Sequence, residues 1–417
     1  MFRESFRPAL SRICATATVT LLLTTVAWSG SYNVLRSFKK NSATPSSGLV
    51  VDQVGNAYGT TAAGGFLGGQ AGTVYQFSPT SGYHVIYAFS GPDGLKPQGN
   101  LVIDAAGNLY GTTVYGGAHK SGCNGLGCGT VFELSPPSNG GTWTETVLYS
   151  FTGGDDGANP QSGVILDLAG NLYGTTEFGG ARGVGTVFQL SPGPGGTWTE
   201  NVLYGMEQGG GGPIGGLVLD AFGNLYGTTC CFGPQNGGTA FELSPFLDSW
   251  TYTLVYAFDS SDGSNDAINP DAILVFDEAG NLYGTATAGG NFGRGAVFEL
   301  SQVSGKWTEE ILHSFAGGRD GATPMASLVL DNAGNLYGTT YEGGNVKEAC
   351  PQGCGTIFEL SPSFDGQWTE RGFRFPGDAK LGAQPTAPLV IDGVGNLYGT
   401  AIRGGNESRG VIFRVKP

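Results

Sequence analysis

Gly163-Val164-Ile165-Leu166-Asp167-Leu168-Ala169-Gly170-Asn171-Leu172-Tyr173-Gly174-Thr175-Thr176-Glu177-Phe178-Gly179-Gly180 is the stretch that decides the fold. Within it a short apolar run, an Asp-x-x-Gly-Asn turn and a β-prone run follow one another. The Asp carboxylate suits the amides of a tight turn, and Gly and Asn tolerate left-handed backbone, so the two runs read as antiparallel strands. The phrase recurs with its Asp at Asp52, Asp104, Asp167, Asp220, Asp277, Asp331 and Asp392, a period of 52 to 63 residues. Val, Ile, Tyr, Phe and Thr between Gly-rich turns at that period make one sheet-forming unit of a closed repeat architecture.

Outward from residue 180, Gly185 to Pro192 alternates as a half-buried third strand and Trp198 to Tyr204 supplies a fourth. Four antiparallel strands make a propeller blade. A fourth-strand pattern also stands at Tyr32 to Phe38, ahead of any first strand, whereas the last copy stops after its third strand at Val415. The expected fold is therefore an all-β, seven-bladed β-propeller over residues 31–417, with repeats starting near 48, 100, 163, 216, 273, 327 and 388. The N-terminal strand completes the last blade. A parallel β-helix is the rival, but its coils are shorter and give no reason to divide a unit between the termini.

Residues 1–30 read differently. Arg3, Arg7 and Arg12 precede the apolar, Thr-rich run Ile13 to Val26 and then Ala27-Trp28-Ser29, the pattern of a cleaved secretory signal peptide. The alternative, an uncleaved anchor, meets a run short of the roughly 20 apolar residues that span a bilayer. A secreted or periplasmic protein, monomeric and with no membrane insertion after signal removal, is expected. Losing three Arg and one Glu takes the formal charge from −14 to about −16. So acidic a chain disfavours nucleic acid and anionic membranes and leaves glycans, cations or proteins as partners.

Ala106-Gly107-Asn108-Leu109-Tyr110-Gly111-Thr112-Thr113 with Gly116-Gly117, Gly129-Thr130-Val131-Phe132-Glu133-Leu134, and Leu148-Tyr149-Ser150-Phe151 resemble the secreted bacterial tandem-repeat proteins called GloVer-containing, which carry a choice-of-anchor arrangement at the C-terminus. The resemblance covers essentially the whole mature chain and implies an extracellular repeat protein, with no established activity attached to it. No C-terminal anchor is recognisable here, which favours free release over surface attachment.

A residue present in every blade is required by the blade, so a single site has to come from positions that break the repeat. The Tyr of each Leu-Tyr-Gly-Thr and the Trp opening most fourth strands read as packing; Glu145, Glu200, Glu309 and Glu370 read as solvated strand positions. In an up-and-down blade the uniform Asp turns share one face, and the double-Gly loops and blade crossovers share the other. That second face carries Tyr115, Phe178, Phe232, Tyr341, Glu342 and Arg403, with Asp93, Asp156, Asp262, Asp320 and Asp378 in the crossovers. Rings with carboxylates and an Arg suit an extracellular glycan or protein. The plainer reading is that Asp-Gly builds turns and the rings are isolated surface residues.

Calcium at the Asp-rich crossovers is compatible with hard-cation chemistry, although no spacing matches a calcium loop. His84, His119 and His313 form no metal pattern, and neither a nucleophile elbow nor a phosphate loop is present, so no catalytic residue is assigned. The expected function is an extracellular binding or structural module; a polysaccharide-acting lyase or glycosidase, needing only two acids or a Tyr and an Arg, is the alternative. Cys123 with Cys128 and Cys350 with Cys354 sit at the same place in two loops and are expected as disulfides, metal binding being the lesser reading. A bridge between the adjacent Cys230 and Cys231 would be strained.

Overall fold

The computed structural model describes residues 31–65, 69–120, 123–138, 140–207, 209–247, 249–261, 265–378 and 380–417. The signal-peptide assignment and Asp262 lie outside them. The expected architecture is present: seven antiparallel blades follow one another around a ring. In the third blade the strands are Ile165–Leu166, Leu172–Thr176, Thr186–Pro192 and Trp198–Gly205, hydrogen-bonded in that order. In the last blade Tyr32–Ser37 lies antiparallel to Val411–Val415, with Tyr32 opposite Val415 and Ser37 opposite Val411. The chain's first strand thus completes its last sheet. Ser42–Pro45 adds to the first blade by pairing with Ala57–Gly64.

Each repeated residue has a repeated task. Asp167 Oδ1 accepts from the Ala169 and Asn171 amides at 2.8 Å, and Oδ2 accepts from Asn171 Nδ2 at 2.8 Å and the Tyr173 hydroxyl at 3.0 Å. Burial acts against the Asp167 carboxylate, yet these hydrogen bonds hold its pKa below the usual range. The Tyr173 ring meets Trp250 of the next blade edge-on at 6.2 Å. Packing was the expected role of these Tyr residues; the bond to the turn Asp is an addition that strand alternation does not reveal.

Contacts within and between blades repeat as well. A β-carbon at Gly174 would stand 2.6 Å from Cζ of Phe188, so only glycine lets this ring lie flat on the second strand. Phe151, leaving the second blade, packs edge-on against Phe188 of the third at 5.1 Å. Fully burying one such ring stabilises by about 1.5–3 kcal/mol. Thr175 Oγ1 donates to the Gly215 carbonyl of the next blade at 3.0 Å, and Thr400 Oγ1 does the same to Ser47 at 3.1 Å across the seam between last and first blades. The ring is locked at the seam by the same bond as elsewhere.

Candidate functional site

On the crossover face, the residue before a repeated Pro is left-handed in six crossovers: Thr44, Lys96, Asn159, Asn269, Thr323 and Gln384 have φ between 54° and 59°. Such backbone in non-glycine residues costs on the order of 1 kcal/mol each and persists only where the surroundings over-determine it. They do. The Asn159 amide donates to Cys128 O of the preceding blade at 2.8 Å, and Gln384 donates to Cys354 O at 2.8 Å. So pinned, each crossover turns down into its inner strand and sends the residue after the Pro toward the ring axis.

Those residues are Ser46, Gln98, Gln161, Ile214, Asp271, Met325 and Thr386, and together they line a cavity of about 360 Å³ at the mouth of the central channel. Every blade contributes. Asp271 is the mouth's only carboxylate on this register, and its Oδ1 is buried with no hydrogen-bond partner. Burial lifts the Asp271 pKa to about 6, with a hydrogen bond from Thr287 pulling the other way. Ser46 Oγ and Thr386 Oγ1 are buried and unpartnered too. Glu177 lies beside them, its Oε2 accepting from Gln161 Nε2 at 2.7 Å. The Cys230 thiol is pushed up by burial, by Cys231, and then by the charges of Asp271 and Glu177, which places both acids around one sulfur. Among the described residues no Lys or Arg lines this cavity. Deeper, the wall turns apolar with Val102, Ile165, Leu166, Val218 and Leu219.

The residues expected on this face fall into separate places. Tyr115, Phe178, Glu342 and Arg403 bridge by backbone to Leu95, Ala158, Ala322 and Ala383 of their crossovers, so they form a rim with one member per blade rather than one cluster. Phe178 is 50% exposed, and Lys96 Nζ sits 5.4 Å from the centroid of the Tyr115 ring. Tyr341, one residue before Glu342, holds the register of Glu177 and of Ile402, which lines the mouth. Phe232, 56% exposed, is not the counterpart of Phe178: Gly233 bonds Gly209 O as Gly180 bonds Gly154 O, which leaves Cys231 in the Phe178 place and Phe232 in a glycine place.

Asp156 and Asp320 tie their crossovers to the fourth strands that lead into them. Asp156 Oδ2 accepts from the Tyr149 hydroxyl at 3.0 Å and the Thr152 amide at 2.7 Å. Asp320 pairs with His313 Nε2 at 2.9 Å and accepts from the Ala316 amide at 2.6 Å. Behind Asp93 and Asp156 lie Glu145 and Glu200 respectively, which sequence alone reads as solvated. Both are half-buried at blade interfaces, and burial followed by the charge of Asp93 or Asp156 lifts each pKa to about 7. The fourth strand is the outer edge of its own blade, but a crossover from the preceding blade covers that edge, which buries these acids.

Disulfides join Cys123 to Cys128 and Cys350 to Cys354, with Cα atoms 5.3 and 5.2 Å apart, while Cys230 and Cys231 carry free thiols. Among the described residues no three His, Cys, Asp or Glu side chains gather as a metal site, and no helix is long and apolar enough to cross a membrane.

The family described as Gloeobacter/Verrucomicrobia repeat matches residues 121–269 and 264–417, well over half of the chain. Among solved structures the chain is similar to a protein of Bacteroides uniformis ATCC 8492 provisionally named a 6-phosphogluconolactonase, at 14% identity and a TM-score of 0.48 over 79% of this chain and 84% of that one. A protein of unknown function from Dyadobacter fermentans DSM 18053 is similar at 12% identity and a TM-score of 0.44 over 92% and 97%. No curated protein matches the chain.

Proposed function

The chain belongs to the Gloeobacter/Verrucomicrobia repeat family, and from that premise we propose that it is an exported binding module that holds the end of a glycan in the mouth of its channel. One observation carries this reading: three buried polar atoms without partners, Ser46 Oγ, Asp271 Oδ1 and Thr386 Oγ1, belong to one cavity built from non-repeated residues of all seven blades. Orphaned buried polar groups are rare and call for partners. A sugar offers several hydroxyls to such a set and an apolar C–H face to Ile273 and Met325, which line the same cavity. Flanking sugars would reach Tyr115, Phe178, Tyr341, Glu342 and Arg403 on the rim. Two disulfides suit an oxidising compartment.

Turnover of a polysaccharide is the second reading, favoured by a carboxyl held near pH 6 with Glu177 at the same mouth. A glycan array probed with residues 31–417 and with Asp271→Asn, followed by product analysis on captured glycans, separates the two. Capture that D271N loses, with no new chain ends, supports the module. New reducing or unsaturated ends made only by the parent select the enzyme. Capture of no glycan overturns both.

A further inference from the structure

On the Asp-turn face, three neighbouring positions between the fourth and fifth blades set this stretch apart from the other blades. Phe222 occupies a turn position that is Val54, Ala106, Ala169, Ala279, Ala333 and Val394 in the other blades. Phe276 ends an inner strand that elsewhere ends in Val51, Ile103, Leu166, Leu219, Leu330 or Ile391. Glu278 is the one acid at its turn position.

These substitutions change the packing around them. In four blades the repeated Tyr meets the next blade's Trp edge-on, as Tyr58 meets Trp143, Tyr110 meets Trp198, Tyr173 meets Trp250 and Tyr283 meets Trp368. In the fourth blade Tyr226 meets Phe276 instead, at 5.1 Å and 87°. Trp307 then lines an open groove of about 610 Å³ with Phe222, Tyr226, Phe276, Glu278 and Gln302. Phe222 is 86% exposed at its edge. The turn acids of the groove are already committed: Asn281 Nδ2 donates to Asp277 Oδ2 and Asn224 Nδ2 to Asp220 Oδ2, both at 2.8 Å. Glu278 and Gln302, both exposed, are the polar groups left for a ligand.

We propose that this groove is a second binding site, taking an internal stretch of a neutral oligosaccharide. Its size falls within the roughly 300–1,000 Å³ of small-ligand sites, and its composition, flat rings with a few polar groups, is what such sites use to seat and orient a ligand. Sugar rings lie on Phe222 and Trp307, while hydroxyls donate to Glu278 and pair with Gln302. Asp220, Asp277 and Glu278 together repel uronate or sulfated chains. The inference is independent of the channel mouth, which lies on the opposite face.

The test is calorimetric titration of residues 31–417 with cellohexaose, xylohexaose and chitohexaose, repeated with Asp271→Asn alone and combined with Phe222→Ala or Phe276→Leu. At least one hexasaccharide should still bind D271N, in which the mouth is impaired, and adding F222A or F276L to D271N should each weaken that binding about tenfold or more, the scale of losing one ring contact. F222A should melt with the parent because its ring is exposed, and F276L restores an aliphatic residue common at this position. No binding by any of the three, or affinity untouched by both Phe variants, overturns the groove. Binding lost in D271N itself also overturns it and places the glycan at the mouth instead.

Discussion

The two faces of the ring share one backbone plan and differ in what that plan asks of side chains. On the turn face each Asp carboxylate must collect amides and the following Asn, so the side chains are dictated and recur from Asp52 to Asp392. On the crossover face the backbone is equally regular, with left-handed residues before the repeated Pro, yet the residue after that Pro passes from Ser46 to Asp271 to Met325 without disturbing it. Variation there is permitted because main-chain bonds pin the left-handed residue whatever side chain follows the Pro. The lesson is that a regular scaffold leaves its chemistry at positions whose side chains it does not use.

The sharpest way to break the comparison is to break the ring that both faces share. Deleting residues 31–38 leaves Val411–Val415 without its outer partner strand and removes Phe38, which is fully buried. A large fall in melting temperature and concentration-dependent association in sedimentation are expected. A shortened protein that melts like the parent as a monomer would mean that the seam is held by other contacts.

Next in size are the dictated side chains. Tyr173→Ala should destabilise by about 3–5 kcal/mol in denaturant titration, the range for deleting a large buried aromatic. Tyr173→Phe, which keeps the ring and loses only the bond to Asp167, should lose about 1 kcal/mol. Equal losses would show that the hydroxyl, not the ring, is what the repeat requires.

Charge at the blade interfaces gives a smaller effect with a definite sign. Glu145 and Glu200 have folded pKa values near 7 against an ordinary 4.5, so their contribution is fully present below about pH 4.5 and is lost as pH rises through about 7. Both are partly exposed, which brings the expected loss to about 1–2 kcal/mol each after screening. The turn acids Asp52, Asp167, Asp331 and Asp392 act oppositely, their pKa values being lowered, and lose their contribution as pH falls below the usual carboxylate range. Thermal melts should therefore be highest in mildly acidic buffer and decline toward pH 8. The double variant Glu145→Gln and Glu200→Gln should flatten that decline; an unchanged slope would show that both acids are ionised in the folded protein.

The smallest effect on folding is expected at the rim. Replacing Tyr115 and Phe178 by Ala should shift stability by no more than about 0.5 kcal/mol per site, as at ordinary surface positions, while weakening capture of a glycan that spans the rim. Intact capture would confine recognition to the mouth itself.

The ring, its number of blades and its seam were legible because Asp-x-x-Gly-Asn and Leu-Tyr-Gly-Thr mark the local turns and strands that the chain adopts. The two loop disulfides were legible from their shared place in the repeat. The mouth was harder to read. Asp271 is one acid among many in sequence, and only ring closure brings it beside Ser46 and Thr386. A signal existed all the same, since the position after the crossover Pro varies in size and charge while it stays framed by that Pro and a small Gly, Ala or Ser. Sequence could not show that Glu145 is covered by the preceding crossover, because that contact joins blades rather than strands. Phe232 looks like the counterpart of Phe178 because each precedes a glycine, but in the fourth blade the first glycine of the pair is itself replaced by Phe232, and the bond from Gly233 to Gly209 shows the register.

The most direct test is a calorimetric titration of parent and Asp271→Asn with a glycan captured on the array, run beside thermal melts at pH 7. Because ionised Asp271 is buried and its pKa is raised to about 6, neutralising it should leave the melting temperature unchanged or higher. Affinity should fall by at least about tenfold, as expected when a charged hydrogen-bond partner is lost. D271N that folds normally and binds like the parent would contradict recognition at the channel mouth.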